Sequence, residues 1–136
     1  MEIRVYRRLH PHAIAIRNTV FVEEQGFIDE FDEADERAFH LVLYSGEEPI
    51  GVCRVFTEGE TWLLGRFAVQ KAWREKGLGS MLLRKAEETV RSQGGKTLTL
   101  HAQCRAMAFY EKNGYTPFGE LEYEQDCPHM AMEKEL

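Results

Sequence analysis

Cysteine is scarce in this chain, and the three present, Cys53, Cys104 and Cys127, stand far apart. No CxxC pair exists, which excludes a zinc ribbon and leaves no basis for a disulfide framework. A reducing cytoplasm is the expected compartment. No apolar run approaches the roughly 18 residues that a membrane helix needs. The first ten residues, MEIRVYRRLH, carry charge but no apolar segment, so no secretory signal is expected. Bases are outnumbered, 17 Lys and Arg against 23 Asp and Glu, for a formal net charge of −6. Such a chain is not expected to hold nucleic acid through its phosphates. Repeats, low-complexity tracts and Pro/Gly/Ser linkers are also missing, so residues 1–136 read as a single domain.

The acid that is present is concentrated. FVEEQGFIDEFDEADE, residues 21–36, holds Glu23, Glu24, Asp29, Glu30, Asp32, Glu33, Asp35 and Glu36 and no base. Without those eight acids, 15 acids face 17 bases and the chain is close to neutral.

Hydrophobic periodicity lays out the elements. Residues 2–9 alternate, with Ile3 and Val5 between charged neighbours, and read as a strand. Residues 11–22 set Ala13, Ile16 and Val20 at helical spacing. AFHLVLY (38–44), IGVCRVFT (50–57) and TWLLGRFAV (61–69) read as strands, the first two joined by a turn at SGEEP. Gly65, inside the third, points to a bulge. Leu78, Leu82, Ala86 and Val90 recur every four residues and predict a helix over 79–92, with Ser80 available as a cap and Gly94 as its stop. A strand at 97–102, a helix at 105–113 and strands at 115–119 and 129–135 complete the order β-α-(α)-β-β-β-α-β-α-β-β, a mixed α/β arrangement.

WREKGLGSML, residues 73–82, places Arg74, Gly77 and Gly79 where a strand hands over to the best helix. Glycine inside a helix costs roughly 1 kcal/mol against alanine, so the pair points to a use of the backbone itself. First-turn amides lack internal partners and sit at the positive end of the helix dipole, which makes an anion site. Gly77 and Gly79 leave room for a phosphate, and Arg74 adds a fork of donors. On spacing alone the loop fits a plain tight turn equally well. Two other phosphate motifs are excluded: Leu82 stands where a dinucleotide fingerprint needs its third glycine, and Val90 stands where a P-loop ending at Gly95-Lys96-Thr97 needs its first.

FAVQKAWREKGLGSMLLRKAEE resembles the acetyl-CoA motif of the GNAT superfamily of N-acetyltransferases, with its Q/R-x-x-G-x-G/A signature. FYEKNGYTPFG, residues 109–119, resembles the superfamily's second landmark. VFVEEQGF and the acidic DEFDEADERAFHLV resemble its small bacterial ElaA/YjcF-like branch. The likeness covers nearly the whole chain, in order. It implies the acyl-CoA N-acyltransferase fold: a mixed, mostly antiparallel central sheet with helices on both faces, whose fourth and fifth strands splay apart around the pantetheine arm. It implies Phe67, Ala68 and Val69 along the pantetheine, and Arg74, Lys76, Gly77, Leu78, Gly79 and Ser80 around the pyrophosphate. Phe109 and Tyr110 complete the cofactor set. Gln103 stands where many relatives have asparagine, a departure that puts its cofactor contact in doubt. The implied activity is transfer of acetyl from acetyl-CoA, a co-substrate, to a primary amine by direct attack in a ternary complex, without a metal. A non-catalytic coenzyme A-binding sensor is the alternative.

Such a transfer needs a neutral amine, and an aliphatic amine with a reference pKa of about 10.4 is protonated at pH 7. A base and a proton donor to the departing thiolate are therefore expected, with a strand amide near Val69 for the carbonyl oxygen. The resemblance implies that Tyr110 is the donor; by spacing alone it is a core aromatic. Candidates for the base are His40, His101, His129 and Glu24, together with a water chain that has no single base. His10 and His12 lack a third ligand nearby and read as surface loop. The acidic window points to a cationic acceptor, polyamine-like, aminoglycoside-like, or a basic N-terminus or lysine; a solvated loop is the other reading. No nucleic acid or membrane partner is expected, and monomer and homodimer both fit.

Overall fold

The computed structural model describes residues 1–28 and 30–136; Asp29, one acid of the window, lies outside the described residues. One sheet organises the chain: β1 (Glu2–Tyr6), β2 (Phe39–Ser45), β3 (Glu48–Glu58), β4 (Thr61–Val69), β5 (Thr97–Gln103), β6 (Thr116–Pro117), β7 (Glu122–Glu124) and β8 (Cys127–Glu135). Its order is β1-β2-β3-β4-β5-β8-β6, with β7 also on β8, and every pairing is antiparallel except β4 with β5.

Three helices cover it: α1 (Pro11–Arg17), continued as a π-helical stretch Asn18–Glu24, then α2 (Leu78–Ser92) and α3 (Met107–Lys112). Strand alternation divides the core. Leu41, Leu43, Cys53, Val55 and Leu64 face Leu78, Leu82, Leu83, Ala86 and Val90 of α2. Val42, Tyr44, Val52 and Ala68 face Ala13, Ile16 and Val20 of the α1 segment. Helices on both faces explain why β2 is apolar almost without interruption. Truncating a fully buried leucine such as Leu82 to alanine costs about 2–5 kcal/mol in sites of this kind. No helix among the described residues is long and apolar enough to cross a membrane.

Two features open the sheet. β4 pairs with β5 only over Trp62–Leu64 against Leu98–Leu100. At that point Arg66 and Phe67 together oppose Cys53 alone, a β-bulge one residue past the predicted Gly65. Arg66 takes a φ of 49° there. The strands separate beyond it, as the fold expectation requires.

Several local expectations change. β1 stops at Tyr6, because His10 turns to cap α1, its Nδ1 accepting the His12 N–H at 3.0 Å. His12 in turn places Nδ1 2.8 Å from the Tyr44 hydroxyl, so neither histidine is free surface loop. Ser80 caps nothing: α2 starts at Leu78, with Gly77 as its N-cap at φ 78°. β7 was not anticipated. It forms because Gln125 and Asp126 both adopt positive φ, 51° and 65°, the mirror-image turn that matches strand twist in a two-residue hairpin.

Candidate active site

A cleft of about 1010 Å³ fills the gap between β4 and β5. Phe67, Ala68 and Val69 form one wall, on the half of β4 that has lost its β5 partner. Among the described residues, backbone groups on that edge are free for a ligand except the Val69 carbonyl, which accepts from Arg74 Nε at 2.7 Å. The first turn of α2 closes one end through Gly77, Gly79 and Ser80. Its first internal bond runs from Met81 N–H to the Gly77 carbonyl at 3.3 Å, so the preceding amides have no helical acceptor. Gly77 needs its left-handed φ, and a Cβ there would meet nothing within 4 Å. Gly79 is a glycine for another reason: a Cβ would lie 3.2 Å from the Phe109 ring. Backbone conformation therefore accounts for Gly77, and contact with the Phe109 ring accounts for Gly79. Leu78 is buried in the core, and Lys76 is exposed and absent from the lining.

Phe109 and Tyr110 come from α3 and line the cleft with Phe67. Their ring centroids are 5.1–6.0 Å apart, mostly edge to face, a favoured aromatic geometry. Tyr110 is buried, and burial followed by the nearby Cys53 thiol raises its pKa. Its hydroxyl bonds to no described residue. Gln103 lines the cleft too, but its amide donates to Gln25 at 2.8 Å. Gln125 clasps Ile28 through both its amide atoms, at 2.8 and 2.7 Å. These two bridges tie residues 25–28 across the cleft mouth.

The base candidates separate by place. His129 is buried at the cleft wall, and its Nδ1–H donates to the Cys127 carbonyl at 2.8 Å. That fixes the tautomer and leaves Nε2 with a free lone pair, 3.6 Å from a Glu124 oxygen. His101 lines the cleft from β5 and is exposed. His40 does not reach the cleft. It is fully buried in β2, its Nε2–H donates to the Asp35 carbonyl at 2.9 Å, and burial lowers its pKa. Its Nδ1 has no partner. Glu24 is held by Arg74, whose hydrogen bond keeps the carboxyl below its ordinary range. A carboxylate so stabilised is a poor proton acceptor.

Much of the acidic window is paired with base, and part of it is internal. Arg17 gives Nε to Glu30 at 3.0 Å and Nη1 to Asp35 at 2.7 Å. Arg54 Nη1 bridges Asp32 at 2.6 Å and Asp35 at 2.9 Å. Arg66 reaches Glu30 at 2.9 Å and Asp32 at 3.3 Å. Three guanidinium groups thus answer three carboxylates, and Arg17, Glu30, Asp35 and Arg54 are buried. Glu33 pairs with Arg37. Sequence reasoning missed these arginines. The signal was there for Arg54, a lone charge inside the apolar strand IGVCRVFT, and for Arg17, beside Ile16 on the packed face of α1. Gln125 gave none.

Residues 11–136 match the family model described as an acetyltransferase (GNAT) domain. The uncharacterized N-acetyltransferase YjcF of Bacillus subtilis is 33% identical over 126 residues, covering 90% of this chain and 90% of the relative. The crystal structure of Escherichia coli ElaA aligns with a TM-score of 0.87 at 26% identity, covering 98% of this chain and 99% of that one. An aminoglycoside 6'-N-acetyltransferase complexed with coenzyme A shares the fold, with a TM-score of 0.75 at 19% identity over 99% and 97% of the two chains. The family match takes in the splayed strands, the Arg74–Gly79 loop and Tyr110 alike, and the chain belongs to the GNAT acetyltransferases, as an N-acetyltransferase.

Proposed function

We propose that the chain moves the acetyl group of acetyl-CoA to a primary amine, with Tyr110 as proton donor to the departing sulfur and His129 as proton acceptor. The observation that carries this reading is the Tyr110 hydroxyl, in the cleft wall and without a hydrogen-bond partner. A hydroxyl that opens to the cleft with no protein partner is available to a ligand atom.

Acetyl-CoA supplies the activated acyl group. The unpaired amides of Gly77 and the first α2 turn suit its pyrophosphate, and the free edge of Phe67–Val69 suits its pantetheine arm and the carbonyl oxygen. The amine nitrogen forms the new C–N bond as the C–S bond breaks. His129 Nε2 takes the proton the nitrogen sheds, and Tyr110 gives one to the sulfur. No cysteine is among the residues lining the cleft, which favours direct attack over a covalent enzyme intermediate. The acceptor is a cationic amine, drawn by acid at the cleft mouth that no arginine answers, Glu124 first.

Tyr110→Phe tests the assignment. Turnover is expected to fall by about 10²-fold or more, while the thermal shift given by acetyl-CoA stays. Unchanged turnover would remove Tyr110 from the chemistry.

A further inference from the structure

The edge strand beside the cleft carries charge and apolar surface that the fold leaves unused. Residues 116–126 are exposed throughout, with Phe118 at 42%, Leu121 at 46% and Tyr123 at 66%. The segment holds Glu120, Glu122, Glu124 and Asp126 and no base. Among the described residues no Lys or Arg pairs with them, and the nearest imidazole is that of His129, its Nε2 3.6 Å from Glu124. This is the reverse of residues 30–35, where arginines from three elements balance the acids.

β7 pairs with β8 and, among the described residues, has no strand on its other side. In a two-residue hairpin the closing pair, Glu124 with Cys127, exchanges the hydrogen bonds, and the next pair, Tyr123 with Pro128, does not. Pro128 has no N–H to give, which agrees with that alternation. The Tyr123 N–H and carbonyl therefore point outward, to a free edge. The same hairpin runs into the cleft. Glu124, Gln125 and His129 line it, and His129 is over nine-tenths buried with Nε2 unpartnered.

We infer that the acceptor amine belongs to a polypeptide. An extended basic segment adds to β7 as a further strand and bonds the outward backbone of Tyr123. Its cationic side chains meet Glu120, Glu122 and Asp126, and its apolar ones meet Leu121 and Tyr123. One primary amine then enters the cleft beside Glu124 and His129. This inference rests on the N-acetyltransferase reading above, and names its substrate class.

Binding is measured before turnover. A labelled peptide alternating lysine and valine, a glutamate–valine counterpart and the polyamine spermidine are titrated against the coenzyme A-loaded protein, with anisotropy read for the peptides. The lysine peptide is expected to bind and the glutamate peptide not. Joint substitution Glu120→Gln, Glu122→Gln and Asp126→Asn is expected to weaken binding about tenfold and to flatten its salt dependence. Tyr123→Pro deletes the outward N–H and spares the β8 ladder, as proline at a free edge does. It is expected to weaken binding similarly, and Tyr123→Val to weaken it less. Equal binding of the two peptides, or indifference to these substitutions, overturns the inference. So does sedimentation showing a dimer that Tyr123→Pro splits, since a second copy then covers the edge. Turnover separates this inference from its parent. If spermidine is acetylated while the peptides are neither bound nor acetylated, the N-acetyltransferase reading stands and the polypeptide acceptor falls. If the peptide binds and no amine is acetylated, the enzymatic reading falls, and the acceptor role with it.

Discussion

Arg74 gives both terminal nitrogens to Glu24, at 2.8 Å each, and its Nε to the Val69 carbonyl at 2.7 Å. The guanidinium that the family resemblance assigns to a pyrophosphate is thus already answered by a carboxylate. Both side chains are more than a third exposed, so the pair adds only ~0–1 kcal/mol to stability. Its larger effect is on the charge that the loop offers an anion. Glu24→Gln is expected to leave stability within ~1 kcal/mol and to tighten coenzyme A binding several-fold, with a steeper salt dependence. Calorimetric titration at two salt concentrations checks this; weaker binding would mean that Glu24 positions Arg74 and does not compete for it.

Gly79 and Gly77 are expected to fail in different ways. Alanine at 79 presses on the Phe109 ring, and Phe109 leans edge-on against Tyr110. A displaced Tyr110 costs turnover, about tenfold for a shift of a fraction of an ångström. Adding Phe109→Leu is expected to recover most of the loss. Alanine at 77 meets nothing but must hold a φ of 78°, which costs ~1–2 kcal/mol of stability. Urea denaturation alongside steady-state kinetics separates the two.

Acid is expected to unfold the protein in two stages. Burial lowers the pKa of His40, so the unfolded chain takes up its proton first and stability declines as pH falls below about 6.5. Burial also pushes Asp35 up, but the Arg17 hydrogen bond, the Asp32 amide and the charges of Arg17 and Arg54 outweigh it and hold the carboxyl at about 2. A depressed carboxyl stabilises the fold above its unfolded pKa, so this share is lost as pH falls from about 4 toward 2. Glu30 works in the opposite sense: burial raises it, and its share is lost as pH rises through its folded value. His40→Gln, whose amide can still donate to the Asp35 carbonyl, is expected to remove the first decline. Asp35→Asn removes the second and is destabilising, because it leaves the buried Arg17 with Glu30 alone and Arg54 with Asp32 alone. Melting temperature followed from pH 7 downward reads both.

The end of the cleft formed by β4 and α2 was legible because its signals are local. A strand, a loop with glycines and a helix follow one another in residues 61–92, and their spacing alone places the α2 terminus beside β4. The ion-pair cluster around residues 30–35 was not, because it is assembled from distant segments. Arg17, Arg54 and Arg66 come from α1, β3 and β4, and nothing in residues 21–36 announces that they converge there. His40 and His129 look alike as strand histidines. Only the sheet order sends one to the cleft and buries the other under Asp35. β7 was hidden by its turn, since Gln125 and Asp126 hold left-handed backbone that glycine or asparagine usually signals.

At Cys53 the two longest neighbouring strands fall out of step by one residue. Leu64 and Ala68, four positions apart on one strand, consequently belong to opposite cores, the first with α2 and the second with the α1 segment. Take out one residue at 66 or 67 and the two strands fall back into step: Ala68 still faces the α1 side opposite Val52, but the irregularity that marks where β4 leaves β5 is gone. The reaction chamber is thus encoded as a count, one residue more in one strand than in its neighbour. A survey that replaces side chains one by one would pass over that dependence, because no single side chain carries it.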